Sequence, residues 1–374
     1  MTRPQDFITQ QKPDILLIGV YAPYNPTSYI ESYYEEFLNL ARTNGIEPTY
    51  TMFIKLRQID PGYFFTQGKL NEIAEYCSTH GIEAVVVSEP LNVQQERNLS
   101  ELLRLPVIDR TGLILEIFER GAQSSEGKIQ VAIAVLQYRK SRLAGRGIHM
   151  SQQAGMIGMR GPGETAKERE ARHLENLINK YKQELKVLYQ RRETQRKRRV
   201  TQRIPHICLI GYTNAGKSTI LNALTKSNVL AEDKLFATLD TTTRELYIDS
   251  KKVGLISDTV GFIQQLPHTL IEAFKSTLSE LQYADLLLHV IDISDPNWQL
   301  HIKVVMAILA ELEIEKPMLY VFNKADKASE PLPLQLEQYQ PHVVISALSP
   351  EGITNLKRYL STWKPSSEQP FNQE

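Results

Sequence analysis

Gly211, Gly216, Lys217 and Ser218 stand at the spacing G-x-x-x-x-G-K-S inside IPHICLIGYTNAGKSTILNAL, residues 204–224. An apolar strand pattern precedes the glycines and an amphipathic helix pattern follows, the context in which this spacing cradles phosphate. Backbone N–H groups of the turn, Gly211, Tyr212, Thr213, Asn214, Ala215 and Gly216, are expected to converge with the helix N-terminus on an anion. Lys217 is expected along the β- and γ-phosphates and the Ser218 hydroxyl on Mg²⁺, with Thr219 opening the helix side of the loop.

Two further constellations fit the same ligand. Asp258, Thr259, Val260 and Gly261 end the apolar run of KKVGLISDTVGF about forty residues after Lys217. There Asp258 can hold Mg²⁺ through a water, and the Gly261 N–H can meet the γ-phosphate because no side chain blocks the approach. MLYVFNKAD ends a strand pattern in Asn323, Lys324 and Asp326. A carboxylate at Asp326 accepts from both the ring N–H and the exocyclic amino group of guanine, whereas adenine leaves those pairings unmade. The stem of Lys324 can cover the base and Asn323 can brace the loops, while VVISALS places Ser346, Ala347 and Leu348 where the Ala347 N–H would meet guanine O6. Between these elements, FATLDTTTRELYI offers Phe236, Ala237, Thr238 and Leu239 to the nucleotide. Thr238 is the expected third Mg²⁺ ligand; Thr241, Thr242 and Thr243 remain rivals because spacing does not separate them.

The elements that must position these residues follow from periodicity. Residues 14–20, 51–55 and 83–88 read as strands, and 30–43 and 69–79 as helices, with a further helix over Leu91–Leu105 and a short strand over 106–109. Such alternation predicts a small parallel α/β domain over 12–137, a scaffold without chemistry of its own. Helical spacing covers 111–120 and 128–143, then breaks in AGRGIHMSQQAGMIGMRGPGET, residues 144–165, and resumes from Lys167. There Leu174, Leu177, Ile178, Leu185, Leu188 and Tyr189 mark one long amphipathic helix or a helical hairpin. The divisions expected are 12–137, a glycine-rich and basic helical segment over 138–203, a nucleotide domain over 204–363 and a tail over 364–374.

The formal net charge of zero conceals a segregation: Arg139–Arg203 carries 18 Lys and Arg against 6 Asp and Glu. Arg139, Lys140, Arg142, Arg146 and Arg160, with the run Arg191, Arg192, Arg196, Lys197, Arg198 and Arg199, suit an RNA backbone, which attracts cations regardless of base sequence. An anionic membrane surface is the competing partner, giving weak peripheral association. The opening MTRPQDFITQQKPDILL lacks a leader pattern and no apolar run is long enough to span a bilayer, so a cytoplasmic location is expected. Cys77 and Cys208 lack metal-site spacing and read as buried thiols.

MIGMRGPGET (156–165), FATLD (236–240) and DTVGFIQQLPHTLIEAFKSTL (258–278) go beyond what a nucleotide site needs, and with them the chain resembles the HflX family of translation-associated GTPases from about Asp14 to Leu360. The resemblance implies an α/β fold: a Ras-like P-loop GTPase domain preceded by a small parallel α/β domain and a helical, glycine-rich linker region. It also implies a ribosome-associated factor that binds the 50S subunit and its 23S rRNA and splits stalled or idle 70S ribosomes; a monomer is expected. GTP is then the substrate and GDP the product, with ATP use by the N-terminal part reported in the family. A GTP-dependent scaffold for large-subunit assembly is the alternative. Ala154, Met156 and Thr241 depart from the family pattern, as do Arg169, Glu170, Ala171 and Arg172 after RGPGET.

Lys217, Thr238, Gly261 and Asn214 are the residues expected to act in hydrolysis. Phe262 follows Gly261 where many GTPases carry a water-orienting glutamine, so the intrinsic rate is expected to be low. Asn214 can either coordinate K⁺ against the phosphates or merely stabilise the turn.

Overall fold

The structure, a computed structural model, describes residues 13–25, 27, 29–143, 166–201, 204–225, 235, 236, 239, 241–267, 270, 278–328 and 334–365; of 166, 167, 191–201, 279, 334 and 335 it describes the backbone alone. The described residues divide between two compact units, one within the bounds Met1–Pro26, Tyr33–Glu116 and Tyr138–Arg172, the other within Thr27–Ser32, Ile117–Gln137 and His173–Glu374.

In the first unit the strands are β1 (Ile15–Tyr21), β2 (Tyr50–Lys55), β3 (Ala84–Val87) and β4 (Val107–Ile108). They are joined through α1 (Ile30–Thr43), α2 (Gln67–His80) and α3 (Val93–Leu103) and pair in parallel in the order β2-β1-β3-β4. Near-continuous apolar strands such as ILLIGVY are what a sheet buried on both faces demands. Asn92 fixes the start of α3 through a capping box with Gln95. At the carboxyl ends of β3 and β4 lies a buried charge network that periodicity did not announce. Arg110, with its side chain wholly buried, pairs with Glu36 at 2.5 Å, and Asp109 accepts from the Leu91 and Gly112 N–H groups, Tyr138 and Arg142. Arg142 also pairs with Glu96 at 3.0 Å and lies over the Tyr138 ring. This corrects its assignment to an RNA-facing surface, because the guanidinium is consumed inside the unit.

The helices α4 (Arg110–Gly121) and α5 (Ser125–Leu143) follow, and α6 (Ala166–Thr201) is one continuous helix rather than a hairpin. No glycine or proline interrupts that run, so nothing in it forces a break. Ile178 and Leu185 bury their side chains against Ile133, with Ile129, Leu136, Tyr181 and Tyr189 around them. The glycine-rich 144–165, including Arg146 and Arg160, lies outside the described residues.

The second unit's sheet runs β10-β9-β8-β5-β7-β6, from β5 (His206–Gly211), β6 (Thr242–Ile248), β7 (Lys251–Asp258), β8 (Leu286–Asp292), β9 (Met318–Asn323) and β10 (His342–Val344). All pairings are parallel except β6 with β7. Against it stand α7 (Lys217–Thr225), α8 (Trp298–Glu311) and α9 (Thr354–Thr362). One core gathers Ile207, Leu209, Leu288, Val290, Ile220 and Leu356; another gathers Trp298, Ile302 and Phe322.

His289 sits in the central strand β8 at 1% exposure, and burial, with Lys217 adding repulsion, lowers its pKa to about 3. Between pH 6.5 and 3 the unfolded chain therefore binds a proton that the folded unit refuses, and stability falls as pH falls. Both tryptophans, Trp298 and Trp363, belong to this unit and report its unfolding. In urea titrations followed by tryptophan fluorescence, wild type should lose on the order of 1 kcal/mol more than His289→Gln between pH 7.5 and 5.5. Equal losses would show that His289 titrates normally.

Candidate nucleotide site

Four of the sequence-predicted loops leave the carboxyl ends of strands in the second sheet: Gly211 ends β5, Asp258 ends β7, Asn323 ends β9, and Ser346 follows β10, whereas Phe236 and Leu239 precede β6. The carboxyl edge of such a sheet is where open α/β folds bind ligands.

Lys217, at the N-terminus of α7, is 6% exposed and donates to the carbonyls of Gly211 at 3.2 Å and Tyr212 at 2.8 Å. Burial lowers its pKa to about 8, with Asp258 opposing the shift. Ser218 Oγ donates to Asp258 Oδ2 at 2.6 Å, so two hard oxygen donors of the kind Mg²⁺ takes stand side by side. A Cβ on Gly261 would lie 3.0 Å from Lys217 Nζ and 2.8 Å from Thr213 Cγ2, so only glycine lets that backbone approach the ammonium. The donor set and this close cradle fit a Mg²⁺-bearing polyphosphate.

Several expected residues take other parts. The Thr213 N–H, counted for the anion cradle, instead donates to Phe262 O at 2.7 Å, and the Thr259 hydroxyl turns back to Leu209 O at 2.7 Å. Val260 is buried, and Thr219 is half-buried in the first turn of α7. Asn214 is exposed at φ 58°, a left-handed conformation that asparagine tolerates. Phe236 and Leu239 turn their side chains away into apolar packing: the Phe236 ring lies 4.6 Å from Phe118, and Leu239 reaches so close to Gly121 that a Cβ there would meet it at 2.6 Å. Ala237 and Thr238 lie outside the described residues. Of Thr238's rivals, Thr242 and Thr243 are taken into β6, where the Thr243 hydroxyl bonds Ser257 at 2.8 Å, while Thr241 precedes the strand.

The loops expected to read the base are tied to the Gly211–Gly216 turn by one amide. Asn323 Nδ2 donates to Ala215 O at 2.9 Å, and its Oδ1 accepts the Ala347 N–H at 3.0 Å. The brace expected of Asn323 is therefore present in the geometry, and the Ala347 N–H, expected at guanine O6, is engaged by it. Gly216, at φ +94°, must lack a side chain, since a Cβ would lie 2.3 Å from Asn323 Nδ2. Ser346 Oγ donates to Asp326 Oδ1 at 2.6 Å, which orients the carboxylate, and Leu348 is 74% exposed beside it in sequence. Lys324 pairs with Asp292 at 2.7 Å. Asp292, at the end of β8, was missed because an acidic residue closing an apolar strand carries no motif. It accepts in turn from the Ser294 N–H and hydroxyl and so holds Lys324 in place.

Comparison with known proteins places this geometry among relatives. Three family models match in succession: "GTP-binding GTPase N-terminal" over 31–119, "GTP-binding GTPase Middle Region" over 121–199 and "50S ribosome-binding GTPase" over 206–324. A protein described as GTPase HflX from Caldanaerobacter subterraneus subsp. tengcongensis is 46% identical across 78% of this chain and 69% of its own. GTPase HflX of Escherichia coli (strain K12) is 41% identical across 87% and 78%, and that of Magnetococcus marinus 40% across 93% and 82%. Among solved structures, a complex of SsGBP with GDP overlaps at a TM-score of 0.52 and 24% identity, covering 93% of this chain and 97% of that one, a likeness of fold.

The lowered pKa of Lys217 yields a measurable linkage. A bound polyphosphate stabilises the ammonium and raises that pKa, so nucleotide binding above pH 8 should take up a proton, and affinity should fall as pH rises. Calorimetry at pH 8.5 in buffers of different ionisation enthalpy should show uptake that disappears in Lys217→Met. No uptake in wild type would contradict the buried, depressed ammonium.

Proposed function

The chain belongs to the HflX family of GTPases, and from that membership we propose that it is a GTP-hydrolysing factor that binds the ribosome through the 50S subunit and its 23S rRNA and splits stalled or idle 70S particles into subunits. The observation that carries the nucleotide half of this reading is the meeting of the Lys217, Asp258–Gly261, Asn323–Asp326 and Ser346–Leu348 loops at one sheet edge, braced by Asn323. Lys217 and the turn would hold the β- and γ-phosphates, Asp326 would read guanine, and Ser218, Thr238 and, through a water, Asp258 would hold Mg²⁺. The ion supplies neutralisation of phosphate charge when bound.

Hydrolysis requires a water aligned with the γ-phosphate. Phe262 cannot align it: the ring is 1% exposed, and the backbone is locked to the turn through Phe262 N–H to Gly211 O at 3.1 Å and Thr213 N–H to Phe262 O. We therefore assign a low intrinsic rate, completed by a polar group from the ribosome or by K⁺ held at Asn214. In this scheme the γ-phosphate engages both the Thr238 and the Asp258–Phe262 segments to give a ribosome-binding form, and hydrolysis ends that engagement. Exposed cations on α6, such as Lys180, Lys182 and Lys186, favour rRNA phosphates as the docking partner, with cytoplasmic location following from it and anionic membrane as the outcome to exclude by liposome flotation. Among the described residues, no helix is long and apolar enough to cross a membrane.

Idle 70S ribosomes sedimented with protein and GTP should separate into subunits, and less so with GDP; intact particles carrying the protein would favour an assembly scaffold instead. Steady-state GTP turnover should be several-fold faster in potassium than in sodium chloride, and Asn214→Ala should erase the difference. Equal rates in wild type would remove the cation role.

A further inference from the structure

Tyr212, the residue after the first glycine of the phosphate loop, is tied to three elements at once. Its ring, 6% exposed, lies flat on His301 of α8, with centroids 3.8 Å apart and planes 10° from parallel. Its phenolic oxygen accepts the Gln264 N–H at 2.8 Å, and its carbonyl accepts Lys217 Nζ at 2.8 Å. Beside it, Phe262 exchanges backbone hydrogen bonds with Gly211 and Thr213, pairing Tyr212 with Phe262 as a short parallel bridge. The segment after Gly261 is thus fastened at two points, at Phe262 by backbone and at Gln264 by the phenol, with the intervening Ile263 wholly buried.

We propose that Tyr212 is a positioning residue that sets the preference for a nucleoside triphosphate over a diphosphate: through Gln264 it holds the Gly261 backbone at the distance from Lys217 where a γ-phosphate is read. The inference rests on the reading of Gly261 as the γ-phosphate donor. A phosphate loop binds phosphate through backbone N–H groups, and the residue after its first glycine is left open by the motif, so phosphate binding alone does not call for a buried phenol here. Its hydroxyl bonds a residue three places beyond Gly261, not the phosphate loop. The stacked imidazole fixes the ring in the plane from which that bond is made. Lys217 and Gly261 then share one support, since the Tyr212 carbonyl restrains the ammonium while its phenol restrains the glycine segment.

Tyr212→Phe retains the ring and its stack on His301 and deletes the hydroxyl that accepts the Gln264 N–H. With the full chain, affinities for GDP and for a nonhydrolysable GTP analogue are measured in Mg²⁺ by fluorescent-nucleotide titration. The analogue-to-GDP affinity ratio should fall roughly ten-fold in Tyr212→Phe, about 1.4 kcal/mol. A purely structural tyrosine would weaken both nucleotides alike; an unchanged ratio, whether both affinities fall together or neither does, overturns the proposal. If Tyr212→Phe does not fold, His301→Leu, which removes the stacked ring, must lower the same ratio, and an unchanged ratio there is equally decisive. Gly261→Ala separates this idea from its premise: if that variant keeps the wild-type ratio, the γ-phosphate role of Gly261 fails; if it lowers the ratio and Tyr212→Phe does not, only the role of Tyr212 fails.

Discussion

The buried ammonium of Lys217 is the constraint around which the nucleotide unit is arranged. A cation at 6% exposure is costly unless its surroundings compensate, and here two carbonyls at the strand-to-helix turn and the nearby Asp258 do so only in part, leaving its pKa near 8. A polyphosphate would relieve that cost, so the depressed ammonium stands where the proposed ligand's charge would go. The glycines follow from the same constraint: Gly261 must lack a side chain to pass the ammonium, and Gly216 must lack one to pass Asn323.

From that charge outward, the parallel sheet does the positioning. Four loops reach one edge because parallel strands place their carboxyl ends together, and the Asn323 amide couples the phosphate turn to the base-reading loops. Phe262, which cannot serve hydrolysis by its side chain, serves geometry by its backbone. Its ring enters the core and its peptide groups lock the Gly261 segment to the phosphate turn.

Much of this was legible in the sequence because it rests on local spacing. The strand–turn–helix context of Lys217, the strand ends at Asp258 and Asn323 and the alternating elements of the first unit all follow from periods of two and 3.6. α1 falls on residues 30–43 as its apolar spacing indicates, while the long basic stretch resolves into one helix because nothing in it breaks one. What spacing did not show depends on contacts between distant residues. Asp292 beneath Lys324, His301 against Tyr212, and the capture of Arg142 by Glu96 and Asp109 carry no motif. Phe236 and Leu239 looked like nucleotide contacts by their neighbourhood, yet apolar side chains follow burial, and the surface near Phe118 and Gly121 offered it.

In the proposed site one buried ammonium and one oriented carboxylate hold a guanosine polyphosphate. Equilibrium competition of GDP against ADP, on wild type and on the Lys217→Ala/Asp326→Ala double variant, tests it most directly. Wild type should prefer GDP strongly, and the variant should lose both affinity and preference. Equal binding of GDP and ADP by wild type, or undiminished GDP affinity in the variant, would contradict it.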